Sequence, residues 1–238
     1  MPSPRPSHQD FPHPDLTLEV GGPFACWTRP DLKTERVSYP VPTPSGVRGV
    51  VEAVFWKPEI SVIIRRIEIL SPISWVRITR NEVTNIVTDD WLNRARADPG
   101  HRFDAARERD QRSTLLLRDV RYRIHFQYVM RPHAQGTVAK YRDQFRRRVE
   151  RGACYSAPFL GTREFSADFF GPPGDDGPEQ FALEPFIMLH SIDYGDRGQE
   201  TYSWFVAEVC GGVLDVPQHG IELGTAPAHR RASAGVGA

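Results

Sequence analysis

Apolar positions along the chain switch between a period of two and a period near 3.6, which predicts a fold that mixes strands with helices. Residues 16–27 (LTLEVGGPFACW) read as a strand interrupted by Gly21-Gly22, where a bulge or a close backbone approach is expected. Thr43-Pro44 then opens a helix, with Thr43 as its cap and Pro44 at the first helical position. Val47, Val50, Val51 and Val54 follow the i, i+3, i+4, i+7 spacing, and Pro58 stops the helix. Gly46 and Gly49 weaken that helix, so they point to close packing or to close approach of a ligand. The β-branched run at 61–70 (SVIIRRIEIL) reads as a second strand. Residues 73–87 predict a hairpin turning at Arg80-Asn81, and the charged stretch at 89–111 predicts an insertion loop.

Within 113–130 the pattern alternates strictly. Val120, Tyr122, Ile124, Phe126 and Tyr128 share one face, and Arg121, Arg123, His125 and Gln127 share the other. A second helix starts at Thr137 or Val138, runs to Arg151 and is closed by Gly152. Residues 161–170 read as one more strand. The order is β-α-β-β-α-β with a hairpin spliced in, an α+β fold of the ferredoxin-like (RRM-like) kind. Two further strands, at 181–194 and 201–216, predict a small antiparallel β domain. The expected division is a disordered arm at 1–14, a ferredoxin-like domain at 15–172, a C-terminal β domain at 173–222 and a disordered tail at 223–238.

The 238 residues are 39% hydrophobic, 25% charged and 11% aromatic, ordinary globular usage that excludes a wholly disordered chain. No apolar run approaches the roughly 18 residues a membrane helix needs, and the proline-rich first fifteen residues carry no secretory pattern. Cys26, Cys154 and Cys210 are far apart and form no C-x-x-C pair, so reduced thiols in a cytoplasm are expected, with no disulfide scaffold and no zinc. The zero net charge hides an asymmetry: residues 102–151 hold fourteen Lys/Arg against six acids, and 164–222 hold twelve acids against Arg197 alone. One face is suited to a polyanion, and the acidic segment to a Lys/Arg-rich partner or simply to water. Arginine outnumbers lysine twenty-seven to three. Phosphate recognition favours such a bias, and a GC-rich genome produces it equally well.

The second helix carries an apolar stripe of Val138, Tyr141, Phe145 and Val149 and a polar, basic one of Lys140, Gln144, Arg147 and Arg151. Beside a strand projecting Arg121, Arg123 and His125, it suggests a phosphate groove. An ordinary solvated helix face explains the spacing just as well. The motifs G-x-S-x-G, G-x-x-x-x-G-K-[ST] and H-E-x-x-H are absent, and the eight histidines show no metal-ligand spacing, so neither a metal nor a cofactor is expected. Metal-free RNA cleavage stays open, because Lys, His, Tyr and Arg suffice for it without any motif.

Longer strings carry more information. WTRPDLKTERVSYPVPTPSGVRGVVEAVFWKP (27–58), TRNEV (79–83), LLLRDVRYRI (115–124), KYRDQFRRRVERGACYSAPFLGTREFSADF (140–169) and AEVCGG (207–212) resemble, in order, the CRISPR-associated Cas-five family, subtype I-C. The resemblance covers roughly residues 15–217. It implies a ferredoxin-like domain of the repeat-associated RNA-binding superfamily followed by a small C-terminal sheet. It also implies a metal-independent endoribonuclease that cuts precursor CRISPR RNA at the base of the repeat hairpin and stays on the crRNA 5′ handle. There it would meet the other subunits of a type I-C surveillance complex (Cascade), with no membrane involved. The family's catalytic trio is a Tyr or His before W-K-P and an adjacent Lys-His at the start of the second helix. These positions read Phe55, Lys140 and Tyr141 here. Phenylalanine moves no proton, and a tyrosine of pKa about 10 is a weak base near neutrality. Tyr39, Tyr122 or His125 are the candidates to supply what Phe55 lacks. Arg48, Arg147, Arg151 and Arg163 are candidate contacts to the RNA backbone, with a surface salt bridge as the alternative for each. The substitutions keep a second function in view, a catalytically inactive scaffold bound to the 5′ handle.

Overall fold

The computed structural model of the chain describes residues 11–32, 35–83, 86–194 and 200–225. Among them nine strands and three helices alternate: β1 (Leu16–Ala25), α1 (Pro44–Val54), β2 (Ile60–Ile69), β3 (Trp75–Val83), α2 (Asp89–Ala97), β4 (Arg109–Met130), α3 (Val138–Glu150), β5 (Phe169–Gly171), β6 (Leu183–Tyr194), β7 (Glu200–Cys210), β8 (Val213–Asp215) and β9 (Ile221–Thr225). The strands form one antiparallel sheet in the order β5-β1-β4-β2-β8-β7-β6, with β3 beside β4 and β9 beside β7.

Strict alternation places Leu16, Leu18 and Val20 of β1 and Tyr122, Ile124, Phe126 and Tyr128 of β4 on one face of the sheet, all buried. β2 joins them with Ile60, Val62, Ile64, Ile67 and Ile69, and an irregularity between Ile64 and Arg66 absorbs the odd spacing so that all five still point inward. α1 and α3 cover this face. Val47, Val50, Val51 and Val54 come from α1, and Tyr141, Phe145 and Val149 from α3. Phe145 sits edge-on to Phe126 at 5.0 Å and to Tyr128 at 6.0 Å.

Thr43 caps α1 as the sequence suggests, its hydroxyl accepting from the Gly46 N–H at 3.2 Å. A Cβ at Gly46 would lie 2.7 Å from the Trp27 ring, so Gly46 serves packing, whereas Gly49 faces open space. The Gly-Gly pair of β1 is a close approach, since a Cβ at Gly22 would lie 2.9 Å from Leu160 Cδ1.

Four expectations are corrected. Residues 75–83 form one strand, not a hairpin turning at Arg80-Asn81, and this strand pairs with 109–117 of β4. Polar residues are accommodated mid-strand because no residue of β3 is fully buried: one face is exposed, and on the half-buried other face Arg80 meets Glu164 and Thr114. The expected insertion loop contains α2, which buries no residue and so lacks an apolar stripe. Its support is local instead: the Thr88 cap, Asp89 and Asp90 in the first turn, and Arg94 and Arg96 in the last. Most of 161–170 is a turn closed by the Phe165 carbonyl accepting from the Leu160 N–H at 2.7 Å, and only 169–171 pair with β1. Finally, 201–216 is two strands, split at Gly211-Gly212.

The C-terminal strands extend the main sheet, because β8 pairs with β2 at Arg66–Glu68. They curl back so that β6 packs on α1, and Phe186 stacks on Tyr39 at 6.2 Å. Residues 11–14 of the expected arm are engaged with the fold, since the carbonyls of His13 and Pro14 accept from Gln127 and Arg142. Of the expected tail, β9 takes the first residues up to Thr225; 226–238, like 1–10, lie outside the described residues. Among the described residues no helix is long and apolar enough to cross a membrane.

Candidate functional site

A helix C-terminus leaves its last carbonyls without partners inside the helix. At the end of α1 three neighbours supply donors. The Tyr155 and Ser156 N–H groups donate to the Ala53 carbonyl at 2.9 and 3.0 Å, Arg148 Nη1 to that of Val54 at 3.4 Å, and the Tyr128 hydroxyl to that of Phe55 at 3.3 Å. These bonds draw α3, the segment after it and β4 to one corner.

Phe55 fills the middle of that corner, 2% exposed, edge-on to Tyr128 at 6.2 Å and 6.5 Å from the Tyr141 ring. The Arg148 guanidinium lies over Phe55 at 5.5 Å, and the exposed Lys140 ammonium lies 5.7 Å from the centre of the Tyr141 ring. The three positions implied by the resemblance, Phe55, Lys140 and Tyr141, are thus assembled in space from two helices 85 residues apart in sequence (140 minus 55). Tyr141 is buried, and its hydroxyl faces Gly136 (φ +136°) of the loop leading into α3. Burial pushes the Tyr128 hydroxyl far above the ordinary tyrosine range, so it stays protonated and serves as a donor.

Exposed side chains lie on the same elements and the segments flanking them. Trp56 follows Phe55, and Tyr155 projects into solvent from the segment whose N–H caps α1. Arg147 and Arg151 stand exposed on α3, the first with Nε donating to the Asp143 carbonyl at 3.4 Å. His133 lies exposed in the loop before α3 and makes no hydrogen bond or ion pair among the described residues. Trp56, Tyr155 and His133 escaped the sequence reading. An exposed aromatic has no periodic signature, and the segment of Tyr155 reaches the end of α1 only through the capping of that helix.

The other candidates lie elsewhere. Arg121, Arg123 and His125 are on the sheet face opposite α1 and α3, so strand and helix do not share the groove expected for them. There Glu19, fully buried, takes Arg121 at 2.8 Å and Arg123 at 3.4 Å. Glu68 takes Arg123 and His125, both at 2.9 Å. Arg121 also pairs with Asp176, and Arg123 donates to the Gly174 and Asp176 carbonyls, which straps the loop after β5 over the network. Burial first of all holds His125 below the usual histidine value, against the pull of Glu68. Tyr39 and Tyr122 are both buried, with their hydroxyls raised by burial; Tyr122 accepts from Trp27 Nε1 at 3.3 Å. Neither touches Lys140 or Tyr141 by a hydrogen bond or ring contact. Arg48 lies toward the start of α1, 4.0 Å from Glu52, and Arg163 is exposed in the 161–168 turn. No group of three or more His, Cys, Asp or Glu able to hold a metal ion occurs among the described residues.

The fold and this corner define a class: a mixed α/β protein whose antiparallel sheet carries two helices on one face, with a lysine beside buried aromatic rings where they meet. The family model described as CRISPR-associated protein (Cas_Cas5) matches residues 15–204, and the chain belongs to that family. It is 45% identical over 219 residues to the CRISPR pre-crRNA endoribonuclease Cas5d of Thermus thermophilus, covering 85% of this chain and 91% of that protein. It is 35% identical over 214 residues to the protein of the same name from Mannheimia succiniciproducens, covering 85% and 94%. Among solved structures, a CRISPR-associated protein superposes with a TM-score of 0.61 at 20% identity, covering 86% of this chain and 92% of that one. A functionally uncharacterized protein from Streptococcus mutans gives 0.60 at 18% identity, covering 86% and 93%. Both show likeness of fold.

Proposed function

We propose that this chain is a metal-independent endoribonuclease that cuts precursor CRISPR RNA at the base of its repeat hairpin and then stays on the 5′ handle as a subunit of a type I-C surveillance complex. The observation that carries this is the meeting of Phe55, Lys140 and Tyr141 at one corner, with exposed Trp56 next to Phe55 in the chain. Kinship with two curated pre-crRNA endoribonucleases supports the substrate class. The strand order β5-β1-β4-β2, with α1 and α3 as crossovers, supports a ferredoxin-like reading of residues 15–172; 173–222 then form an acidic extension of that unit. Its place is the cytoplasm, where transcripts are made.

In this chemistry the 2′-hydroxyl loses its proton and attacks the adjacent phosphorus, the P–O5′ bond breaks, and the 5′-oxygen takes up a proton. The products carry a 2′,3′-cyclic phosphate and a 5′-hydroxyl. Lys140 is the cation for the charge gathering on the phosphoryl oxygens. Phe55 supplies only packing. The Tyr141 hydroxyl can donate to phosphate, and His133, exposed in the loop that leads into α3, is the candidate to exchange protons with the RNA. Trp56 and Tyr155 offer faces on which unpaired bases stack, and Arg147 and Arg151 offer phosphate contacts. Arg163 belongs to the same proposal as an outlying contact, whereas Arg121, Arg123 and His125 are engaged in the internal network.

A second function, a non-catalytic scaffold on the 5′ handle, is favoured by one observation: Phe55 and Tyr141 are both buried, and phenylalanine has no proton to move. End-labelled repeat RNA in excess EDTA separates the two. A discrete cut supports the enzyme, and a shifted but intact RNA supports the scaffold.

A further inference from the structure

At the start of α1 lies a cavity of about 530 Å³, bordered by Ser45 and Arg48 of α1, His190 of β6, Ser203 of β7, and His219 and Glu222 beyond β8. That volume lies within the range of small-molecule sites. It exists because the sheet has a gap. β8 pairs with β2 only at Arg66–Glu68, and among the described residues no strand lies against the outer side of β2 at 60–64. Residues 62–64 therefore present a free strand edge to the cavity.

The far wall is built rather than loose. His190 Nε2 donates to the Pro217 carbonyl at 2.9 Å, which fixes the ring proton on that nitrogen, and Nδ1 accepts from the Ser191 hydroxyl at 3.1 Å. Burial holds this imidazole below the usual histidine value, so the pinned ring is neutral at pH 7. Gly220 seats the 217–220 loop against the strands, since a Cβ there would lie 2.8 Å from Ser203 Cβ and 2.9 Å from His190 Cβ. The free charge comes from other groups. Arg48 and His219 border the same cavity. Among the described residues the only ion pair of Arg48 is with Glu52, at 4.0 Å, longer than a hydrogen bond. Glu222 supplies the opposing carboxylate.

One cation, one exposed imidazole, one carboxylate, hydroxyls and an open backbone edge do not suit a run of phosphates. They suit one phosphate together with one hydrogen-bonding base. We propose that this cavity holds a single unstacked nucleotide of the bound RNA, its phosphate on Arg48 and His219 and its base edge against Ser45, Ser203, Glu222 and the β2 edge. The proposal rests on the RNA-processing function above. α1 has eleven residues and is about 16 Å long, so a strand lying along it joins this cavity to the Phe55 corner. Splaying bases into pockets is how single-stranded RNA is commonly read.

The test is fluorescence anisotropy with labelled CRISPR repeat RNA in EDTA, over a range of salt. Arg48→Ala should bind about tenfold more weakly and lower the salt slope by about one, and Arg48→Lys should restore the slope. A second readout needs no variant: bound RNA should slow diethylpyrocarbonate modification of His219, while inorganic phosphate at equal ionic strength should not. Unchanged affinity and slope in an Arg48→Ala protein of normal melting temperature overturns the cavity proposal and leaves the endoribonuclease standing. So does equal modification of His219 with and without RNA. Should Arg48→Ala fail to fold, the His219 readout decides. Wild-type protein that neither binds nor cuts the RNA overturns both.

Discussion

At the scale of single residues, Lys140 stands apart from the arginines around it. Its ammonium is exposed and, among the described residues, engages only the ring of Tyr141, so it is available to a phosphate. Lys140→Ala should lower single-turnover cleavage by about 10²–10³, the usual effect of removing one donor to a developing oxyanion. Quenched-flow cleavage at saturating protein measures it, and a rate within threefold of the parent would contradict it. Lys140, Phe55 and Tyr141 were legible because they sit inside long family-like strings. Trp56, Tyr155 and His133 were not, because an exposed side chain leaves no periodic trace and only the tertiary capping of α1 brings the 155–156 segment beside Phe55. Arg121, Arg123 and His125 were legible as one face of a strand, but alternation cannot say whether that face meets helices, solvent or a loop. Here a buried Glu19 claims it.

At the scale of elements, periodicity worked where burial is one-sided and failed where it is absent. α1 runs from the predicted cap to within four residues of the predicted proline stop, and α3 closes at Gly152. α2 and β3 lack a buried face, so composition alone made them a loop and a hairpin. Two substitutions probe the layers. Phe145→Ala removes the ring that holds α3 to Phe126 and Tyr128, and should cost about 3–5 kcal/mol in urea unfolding. Arg123→Ala removes one of two partners from both Glu19 and Glu68 on the opposite face and should cost about 1–3 kcal/mol, less than a full buried pair because Arg121 still meets Glu19 and His125 still meets Glu68. A loss below about 1 kcal/mol in either would show that the contact is dispensable.

For the whole molecule, charge and burial set the response to pH and salt. His125 and His190 are both depressed by burial, so the unfolded chain binds more protons than the fold as pH drops. Their contribution is complete above the unfolded histidine value of about 6.5 and is lost as pH falls through their folded values. Urea unfolding between pH 7.5 and 5.5 should therefore show falling stability, and His190→Gln should flatten the slope; an equal slope would remove His190 from the account. The charge asymmetry legible in the sequence survives only in part: Arg147 and Arg151 stay exposed at α3 and Glu184, Asp193, Glu200 and Glu208 lie on strands joined to the sheet through β8, whereas Glu164 and Asp176 pair with Arg80 and Arg121. The continuity through β8 was not legible, since strand pairing between distant segments leaves no local pattern. The central claim is metal-independent cleavage at the corner where α1 meets α3. It is tested most directly by incubating end-labelled repeat RNA with the protein and with Lys140→Ala in excess EDTA on a sequencing gel. The account predicts a discrete cut at the 3′ base of the hairpin, ending in a 2′,3′-cyclic phosphate, from the parent and almost none from the variant; intact RNA from the parent, or equal cutting by both, would contradict it.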